Sequence, residues 1–208
     1  MRFSVILAAV PILAACTVIQ QPSGMIPQWT SAWRQVVTKN DEARLRDWRK
    51  SFVSALEAAR KSGHSAEIAR EGALLDPDSA LDKPAIPNGT YRCRVIKLGA
   101  KAAGNLDYVS YPGFTCRIRA EHDMQRLRKL DGSQRYVGII FPNDAIREVF
   151  LGTLALGDEQ RAMQYSQDET RDVAGFVERI GPNRWRLLMP RPHFESQLDV
   201  MELVPSNP

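Results

Sequence analysis

The sequence predicts an α+β fold in which N-terminal helices pack on an antiparallel, mainly meander β-barrel or β-sandwich of about eight or nine strands. Apolar residues recur at helical spacing up to roughly Leu75, and from Thr90 onward they alternate with polar residues as in strands. Turn sequences such as Asp131-Gly132 separate the alternating runs. The composition, 44% hydrophobic and 25% charged, excludes a generally disordered chain.

The first residues carry the pattern of a bacterial export signal. Arg2 provides the positive charge, and Phe3 to Ala15 form an apolar run that is too short for a bilayer core, which needs about 20 residues. The run ends in Leu-Ala-Ala-Cys, which resembles the lipobox of bacterial lipoproteins. This resemblance implies that residues 1–15 are removed and that Cys16 carries the lipid. An ordinary signal peptide with an incidental cysteine is the alternative.

The residues after Cys16 bear on location. Thr17 follows the cysteine, and the absence of an acidic residue there favours an outer-membrane lipoprotein that faces the periplasm, with the inner membrane as the alternative. Residues 16–28 are rich in Gln, Pro, Ser and Gly and predict a tether. We expect residues 29–208 to form one domain, helical over 29–75 and β-rich over 90–205.

A helix is predicted to begin at Thr38 or Asn40, either of which can cap its first turn, and to end at Gly63. Trp29 and Trp33 predict one further turn before it. A second, short helix is expected from Ser65, as its cap, to Leu75. The longer helix has one apolar face, which we expect to dock on the β-domain; its residues are Leu45, Trp48, Phe52, Leu56 and Ala59.

Nine strands are predicted from alternation and turn signals. Their expected ranges are 91–98, 114–121, 125–130, 134–141, 146–156, 162–167, 173–180, 184–189 and 197–204. Cys93 and Cys116 each fall on the apolar face of a strand, and in an oxidising compartment two such cysteines predict a disulfide. Two buried free thiols are the alternative.

Several long stretches resemble a family of small bacterial envelope proteins known only as domain of unknown function 4893. The stretches are EGALLDPDSAL (71–81), PNGTYRCRVIKLG (87–99), SQRYVGIIF (133–141), FLGTLALGDE (150–159), RDVAGFVERIG (171–181) and RWRLLMPRPHFESQLDVMELVP (184–205). The resemblance covers most of the chain from Trp33 to Pro205, and it implies no catalytic residues because the family has no established activity. The general plan also resembles lipocalin-type lipoproteins and small periplasmic enzyme inhibitors.

No nucleophile elbow, phosphate-binding loop or zinc-binding motif occurs, and we predict that the protein is not an enzyme and uses no metal or cofactor. The net charge of +4 is too weak and too dispersed to predict nucleic-acid binding. The leading interpretation is a protein-interaction or inhibitor-like module in the envelope. A carrier of a small apolar ligand in a barrel cavity is the alternative, and an envelope hydrolase ranks below both.

Five residues are candidates for a binding surface. Tyr108, Tyr111 and Phe114 form an aromatic-rich connection before a strand, and connections at a barrel end are where binding residues gather. Arg184 and Arg186 flank Trp185 in a strand, so the two arginines share one face and the tryptophan takes the other. We expect Trp185 in the core and the arginines in solvent, where they could contact a partner.

Overall fold

The computed structural model describes residues 31–206. The expected signal peptide (1–15), Cys16, the tether (16–28) and Trp29 lie outside the described residues. No helix in the described range is both long enough and apolar enough to cross a membrane.

The N-terminal part is helical, as predicted. It contains 3-10 turns at Trp33–Gln35 and Gly72–Leu75, and helices α1 (Lys39–Arg46), α2 (Trp48–Lys61) and α3 (Ser65–Glu71). Thr38 caps α1 by accepting a hydrogen bond from the Asp41 amide, and Gly63 has the positive φ of +92° expected after a helix end. The single predicted long helix is divided at Asp47, and the N-cap position of α3 is His64 rather than Ser65.

The C-terminal part is a continuous antiparallel sheet. Its strands are β1 (Gly89–Ala100), β2 (Tyr108–Ser110), β3 (Phe114–Glu121), β4 (Met124–Lys129), β5 (Gln134–Phe141), β6 (Arg147–Leu156), β7 (Asp172–Gly181), β8 (Arg184–Pro190) and β9 (Ser196–Pro205). Strands β3 to β9 follow one another as a meander, and β1 pairs with β3 on one side and β9 on the other. The sheet therefore closes into an eight-stranded barrel, with β2 as an extra strand beside β1.

Closure rests on the β1–β9 ladder, whose register runs from Tyr91 opposite Pro205 to Ala100 opposite Ser196. The barrel, and not the sandwich, is the correct form of the predicted α+β fold. On the other edge of β1, the ladder with β3 ends at the pair Cys93 and Phe114, and β2 takes over from Ile96.

Two strand predictions were wrong. Residues 162–167 belong to the β6–β7 connection, where the Tyr165 hydroxyl donates to Asp41 Oδ2 at 2.5 Å. Tyr165 packs this connection against α1 instead of forming part of a sheet. Strand β2 was missed because it has only three residues, too few to show a period.

The barrel interior is filled by side chains from all of its strands. An eight-stranded barrel has an interior just wide enough for packed side chains. Phe150 is fully buried, and its ring lies over Gly138 and Gly152, which face each other on β5 and β6. A Cβ atom on Gly138 would approach the Leu151 carbonyl oxygen to 2.5 Å, so only glycine fits there.

One end of the barrel is plugged by the chain that leads into β1. Ile86 is buried there with Tyr91 and Trp185. The Trp185 indole N–H donates to the Pro84 carbonyl at 3.1 Å, and the Tyr91 hydroxyl donates to the Pro87 carbonyl at 2.6 Å. The predicted core position of Trp185 is confirmed, and the aromatic donors at this plugged end are satisfied.

Cys93 and Cys116 are joined by a disulfide, as predicted, with Cα atoms 6.0 Å apart. The bridge links β1 to β3 diagonally, close to the point where their ladder ends. A covalent link of this loop size contributes about 3 kcal/mol of stability.

Helix α2 docks on the outside of the barrel, as predicted from its apolar face. Phe52 and Leu56 are buried against the outward-facing side chains of β1, β8 and β9, among them Ile96 and Leu188. Trp48 is only half-buried and makes an edge contact with Phe176 at 6.2 Å. The helix is a packed part of the domain rather than a free amphipathic surface.

Phe52→Ala should lower the free energy of unfolding by about 3–5 kcal/mol, because it removes a fully buried aromatic ring and leaves a cavity. The matched control is Val53→Ala at the next position, where the side chain is exposed and the loss should stay within about 0.5 kcal/mol. Denaturant titration of the lipid-free domain measures both. Equal losses would contradict the docking of α2.

Glu148 is an acidic residue in an unfavourable place. It lies on β6 opposite Val177, and its Oε2 atom is buried without a hydrogen-bond partner. Burial raises the pKa of its carboxyl group to about 7. A folded-state pKa above the unfolded value means that stability is unaffected in acid and is lost as the pH rises through the folded pKa.

Glu148→Gln should therefore stabilise the protein at pH 8 and have little effect at pH 4. After allowance for partial exposure, we expect a gain of about 1–2 kcal/mol at pH 8, or roughly 3–6 °C in melting temperature. Thermal melts at both pH values test this, with Glu57→Gln on the exposed face of α2 as the control. An equal increase in melting temperature at both pH values would show that the buried Glu148 charge is not the cause of the stabilisation.

Candidate functional site

The end of the barrel opposite the plug, which we call the mouth, is formed by the connections that follow β1, β2, β4, β6 and β8. These connections are residues 101–107, 111–113, 130–133, 157–171 and 191–195. A cleft of about 440 Å³ opens at the mouth on the side where β1 leaves β3 and pairs with β2. Its lining residues are Val95, Lys97, Tyr111, Pro112, Gly113, Phe114, Lys129, Asp131, Gly132, Ser133, Gln134 and Tyr136.

Two buried residues of opposite charge lie side by side at the inner wall of the cleft. Lys97 and Asp199 are directly opposite each other in the β1–β9 ladder, and they are only 6% and 2% exposed. Asp199 accepts hydrogen bonds from the Tyr136 hydroxyl at 3.2 Å and from the Ser196 hydroxyl. Lys97 Nζ donates to Glu195 Oε2 at 2.5 Å.

The pKa values of this group follow from burial and mutual attraction. Burial raises the pKa of the Asp199 carboxyl, while the Lys97 charge and the two hydroxyl donors oppose that rise. For Lys97, burial favours a lower pKa, but the Asp199 and Glu195 carboxylates outweigh it and the pKa is raised. Lys97 therefore stays protonated and supplies a fixed positive charge beside the cleft.

Lys129 provides the second ammonium group. Its Nζ lies 4.1 Å from the centre of the Phe114 ring, a cation–π contact. Within residues 31–206, no carboxylate forms an ion pair with it. Burial lowers the pKa of Lys129 and the Lys97 charge acts in the same direction, whereas the nearby Asp131 carboxylate opposes them. The cleft thus contains one lysine that is ion-paired with Glu195 and one that forms no ion pair with any described residue.

Of the five predicted binding residues, the structure places two in the cleft. Tyr111 and Phe114 line the cleft, where the Tyr111 ring lies 5.8 Å from Lys97 Nζ. Tyr108 lies elsewhere, stacked on His64 at 5.3 Å, and its hydroxyl lies 3.3 Å from Glu71 Oε1. Tyr108 therefore holds the α3 region against the barrel.

The expectation that both arginines lie in solvent was wrong for Arg186. Arg186 is fully buried beneath the helices, not solvated, because its guanidinium donates to Glu178 Oε2 at 2.7 Å and to the carbonyl groups of residues 73, 74 and 76. Arg184 is partly exposed on the outer face and pairs with Glu202 at 2.6 Å. Neither residue lines the cleft.

Exposed apolar side chains surround the mouth. Of the eight large apolar residues that are exposed within residues 31–206, five lie in the mouth connections. We call these five the rim: Leu106, Tyr111, Leu130, Met163 and Phe194. Leu106 is 67% exposed. Exposed apolar groups gathered around a polar centre are typical of protein-interaction sites.

Lys97, Lys129 and Asp199 were not recognised as site residues in the sequence. A signal was present, because the alternation that places Cys93 and Val95 inside the barrel also places Lys97 there. Asp199 likewise shares the inward phase of Met201 and Leu203. When a charged residue occupies the next inward-facing position after a run of apolar ones, it marks the place where the packed core ends and a candidate site begins.

The arrangement can bind an anion that carries an apolar group, because two ammonium groups can meet the charge and three aromatic rings can cover the apolar part. Its ionisable groups are engaged mainly with one another and with the rings. Among the described residues, no three His, Cys, Asp or Glu side chains converge as a metal site would require.

Fold and site together define a small meander barrel that is plugged at one end, clefted at the other and buttressed by N-terminal helices. A family model described as a domain of unknown function, DUF4893, matches residues 33–203. The chain belongs to this family. The search of curated proteins gave no match, and neither did the search of solved structures.

Lys97→Met should lower the free energy of unfolding by about 3 kcal/mol, because it leaves Asp199 buried without its cation. Adding Asp199→Asn should recover most of that loss, because the amide oxygen still accepts hydrogen bonds and carries no charge. Urea unfolding of both single variants and the double variant measures the coupling. Strictly additive losses would contradict the pair, and Lys101→Met at the same barrel end is the control.

Proposed function

We propose that this protein is a lipid-anchored, periplasm-facing envelope protein that binds a partner protein through the barrel mouth. The observation that carries the proposal is the apolar rim around a cleft that contains Lys97 and Lys129, at the end of a barrel whose interior is filled. Binding surfaces commonly combine buried apolar or aromatic anchors with charged groups that fix the register of the partner.

The filled interior favours a partner over an apolar cargo. A carrier needs a cavity of several hundred Å³ in its apolar core. In this barrel, Tyr91, Phe150 and Trp185 occupy the core together with aliphatic side chains from every strand of the closed barrel. The opening lies in the polar part of the mouth, where Lys97 and Asp199 would be poor neighbours for an apolar ligand.

The proposed role is binding rather than catalysis. A catalytic pair needs a base that is free to accept a proton from a nucleophile or substrate. In the cleft wall, Asp199 already accepts from two hydroxyl groups and Lys97 already pairs with Glu195. These contacts suit a rigid recognition surface.

The position of the N-terminal segment supports an orientation for the anchored protein. The Trp33 indole N–H donates to Asn143 Oδ1 at 2.9 Å, and Asn143 lies in the β5–β6 connection at the plugged end. Cys16 precedes Ser31 by fifteen residues, which reach at most about 50 Å when extended. In our proposal the plugged end faces the outer membrane and the mouth faces the periplasm. The disulfide is consistent with that oxidising compartment.

Cys16→Ser should block lipidation and release the protein from membranes, because a single thiol carries the anchor in this proposal. Membrane fractionation should move the variant to the soluble or precursor fraction, and intact mass of the wild type should show a lipid-modified Cys16 without residues 1–15. Cys93→Ala with Cys116→Ala is the matched cysteine control, which should remain membrane-bound. An unmodified mature chain that begins elsewhere would refute the anchor.

Partner binding at the mouth is tested by photo-crosslinking in intact cells. A photoreactive residue at Phe194 or Leu106 should give a discrete crosslinked protein, because both positions lie on the exposed rim. The same residue at Val53 on α2 or at Leu81 provides a control away from the mouth, with an exposure that matches that of Phe194. Crosslinks at the control positions but not at the rim would place the interface elsewhere.

A further inference from the structure

The cleft contains a cation, Lys129, that forms no ion pair within the described part of the chain. Lys129 Nζ stands over the Phe114 ring, no carboxylate of residues 31–206 pairs with it, and its side chain is partly withdrawn from water. An ammonium group held this way gains a strong hydrogen bond when an anion arrives. Lys97 lines the same cleft from β1, so an anion placed there meets two positive groups.

The surroundings define the charge that the cleft accepts. Asp131 lines it, and Asp199 and Glu195 lie close to Lys97. These three acidic groups offset the positive charge of the two lysines, so a dianion such as phosphate would be repelled more strongly than a monoanion that meets Lys129 alone. The cleft therefore favours a singly charged group.

The walls of the cleft indicate which chemical group carries the bound anion. Tyr111 and Phe114 present rings to the cleft, and Val95 and Pro112 add aliphatic surface. The volume of about 440 Å³ is enough for one amino-acid side chain with its neighbouring atoms. An apolar or aromatic body would cover the rings while its acid group meets Lys129.

We infer that the cleft is a carboxylate-binding subsite of the mouth, in which Lys129 pairs with a carboxylate that is carried on an apolar or aromatic residue of the partner protein. The existence of a partner protein is taken from the proposed function, but carboxylate binding by the subsite can be tested on the purified domain alone. A chain terminus that ends in an apolar residue satisfies both requirements. A free organic acid has the same chemistry, and the experiment separates the two sources.

The first probe is N-acetyl-phenylalanine, which mimics such a chain terminus, compared with its amide, which has the same ring and no charge. Titration calorimetry and amide chemical shifts of the lipid-free domain at low salt should show the acid binding at least about tenfold more tightly than the amide. Shifts should centre on Phe114, Lys129 and the 130–133 connection. Equal binding of acid and amide, or no binding of either, would overturn the inference.

The second part uses variants. Lys129→Gln should weaken binding of the acid about tenfold and leave the amide unchanged, because only the ion pair is lost. Lys101→Gln is the matched control: this lysine lies at the mouth outside the cleft, donates to the Pro192 carbonyl, and should leave affinity unchanged. Unchanged acid binding by Lys129→Gln, or an equal loss in both variants, would overturn the assignment.

Phenylacetate, which lacks the peptide group, identifies the source of the carboxylate. Weaker binding than N-acetyl-phenylalanine supports a chain terminus, whereas tighter binding supports the carboxylate subsite but overturns the partner as its source. Failure of rim crosslinking in cells would count against the proposed partner without affecting acid binding by the purified domain. The two failures are therefore distinguishable.

Discussion

The pairing of β1 with β9 is the constraint on which the rest of the structure depends. It joins the first and last strands of the sheet along almost their whole length, from Tyr91 and Pro205 to Ala100 and Ser196. Once the sheet is closed, every strand has one face in a narrow interior, and inward positions must hold large apolar groups, glycine or paired charges. The same ladder brings Lys97 and Asp199 together. Closure therefore creates the core and the inner wall of the cleft at once.

The outer surface depends on a second buried contact. Arg186 is oriented by Glu178 on the neighbouring strand, and its Nη1 donates to the carbonyl groups at the end of the 3-10 turn at Gly72–Leu75. The Phe52 ring of α2 lies 5.3 Å from the guanidinium. A helical end that would otherwise bury unsatisfied carbonyl groups is thus fixed to the barrel. This contact explains how a short helical segment with modest apolar area stays docked.

Local patterns in the sequence predicted much of the fold, because helix caps and strand alternation are local. Thr38, Gly63 and eight of the predicted strands are examples. Contacts that depend on distant residues were not predictable in the same way. Arg186 resembled a solvated strand residue because nothing nearby in sequence reveals that residues 73–76 cover it. Tyr165 resembled part of a strand because its partner, Asp41, lies 124 positions away. In the site, Tyr111 and Phe114 were predicted from their position in a loop at the barrel end. Predicting Lys97 would have required extending the inward-outward alternation of β1 beyond its apolar residues.

The mouth is made of hairpin connections, and both described chain ends lie away from it at the other end of the barrel. Lengthening a surface loop adds little closure entropy, about 0.6 kcal/mol for each doubling, as long as the strands it joins keep their register. The connection at 191–195, for example, joins strands whose pairing is fixed by six residue pairs. The fold thus combines a barrel that tolerates few substitutions with a mouth whose loops can each change in length and sequence. Replacement loops grafted onto the mouth would give binders of new specificity on an unchanged barrel.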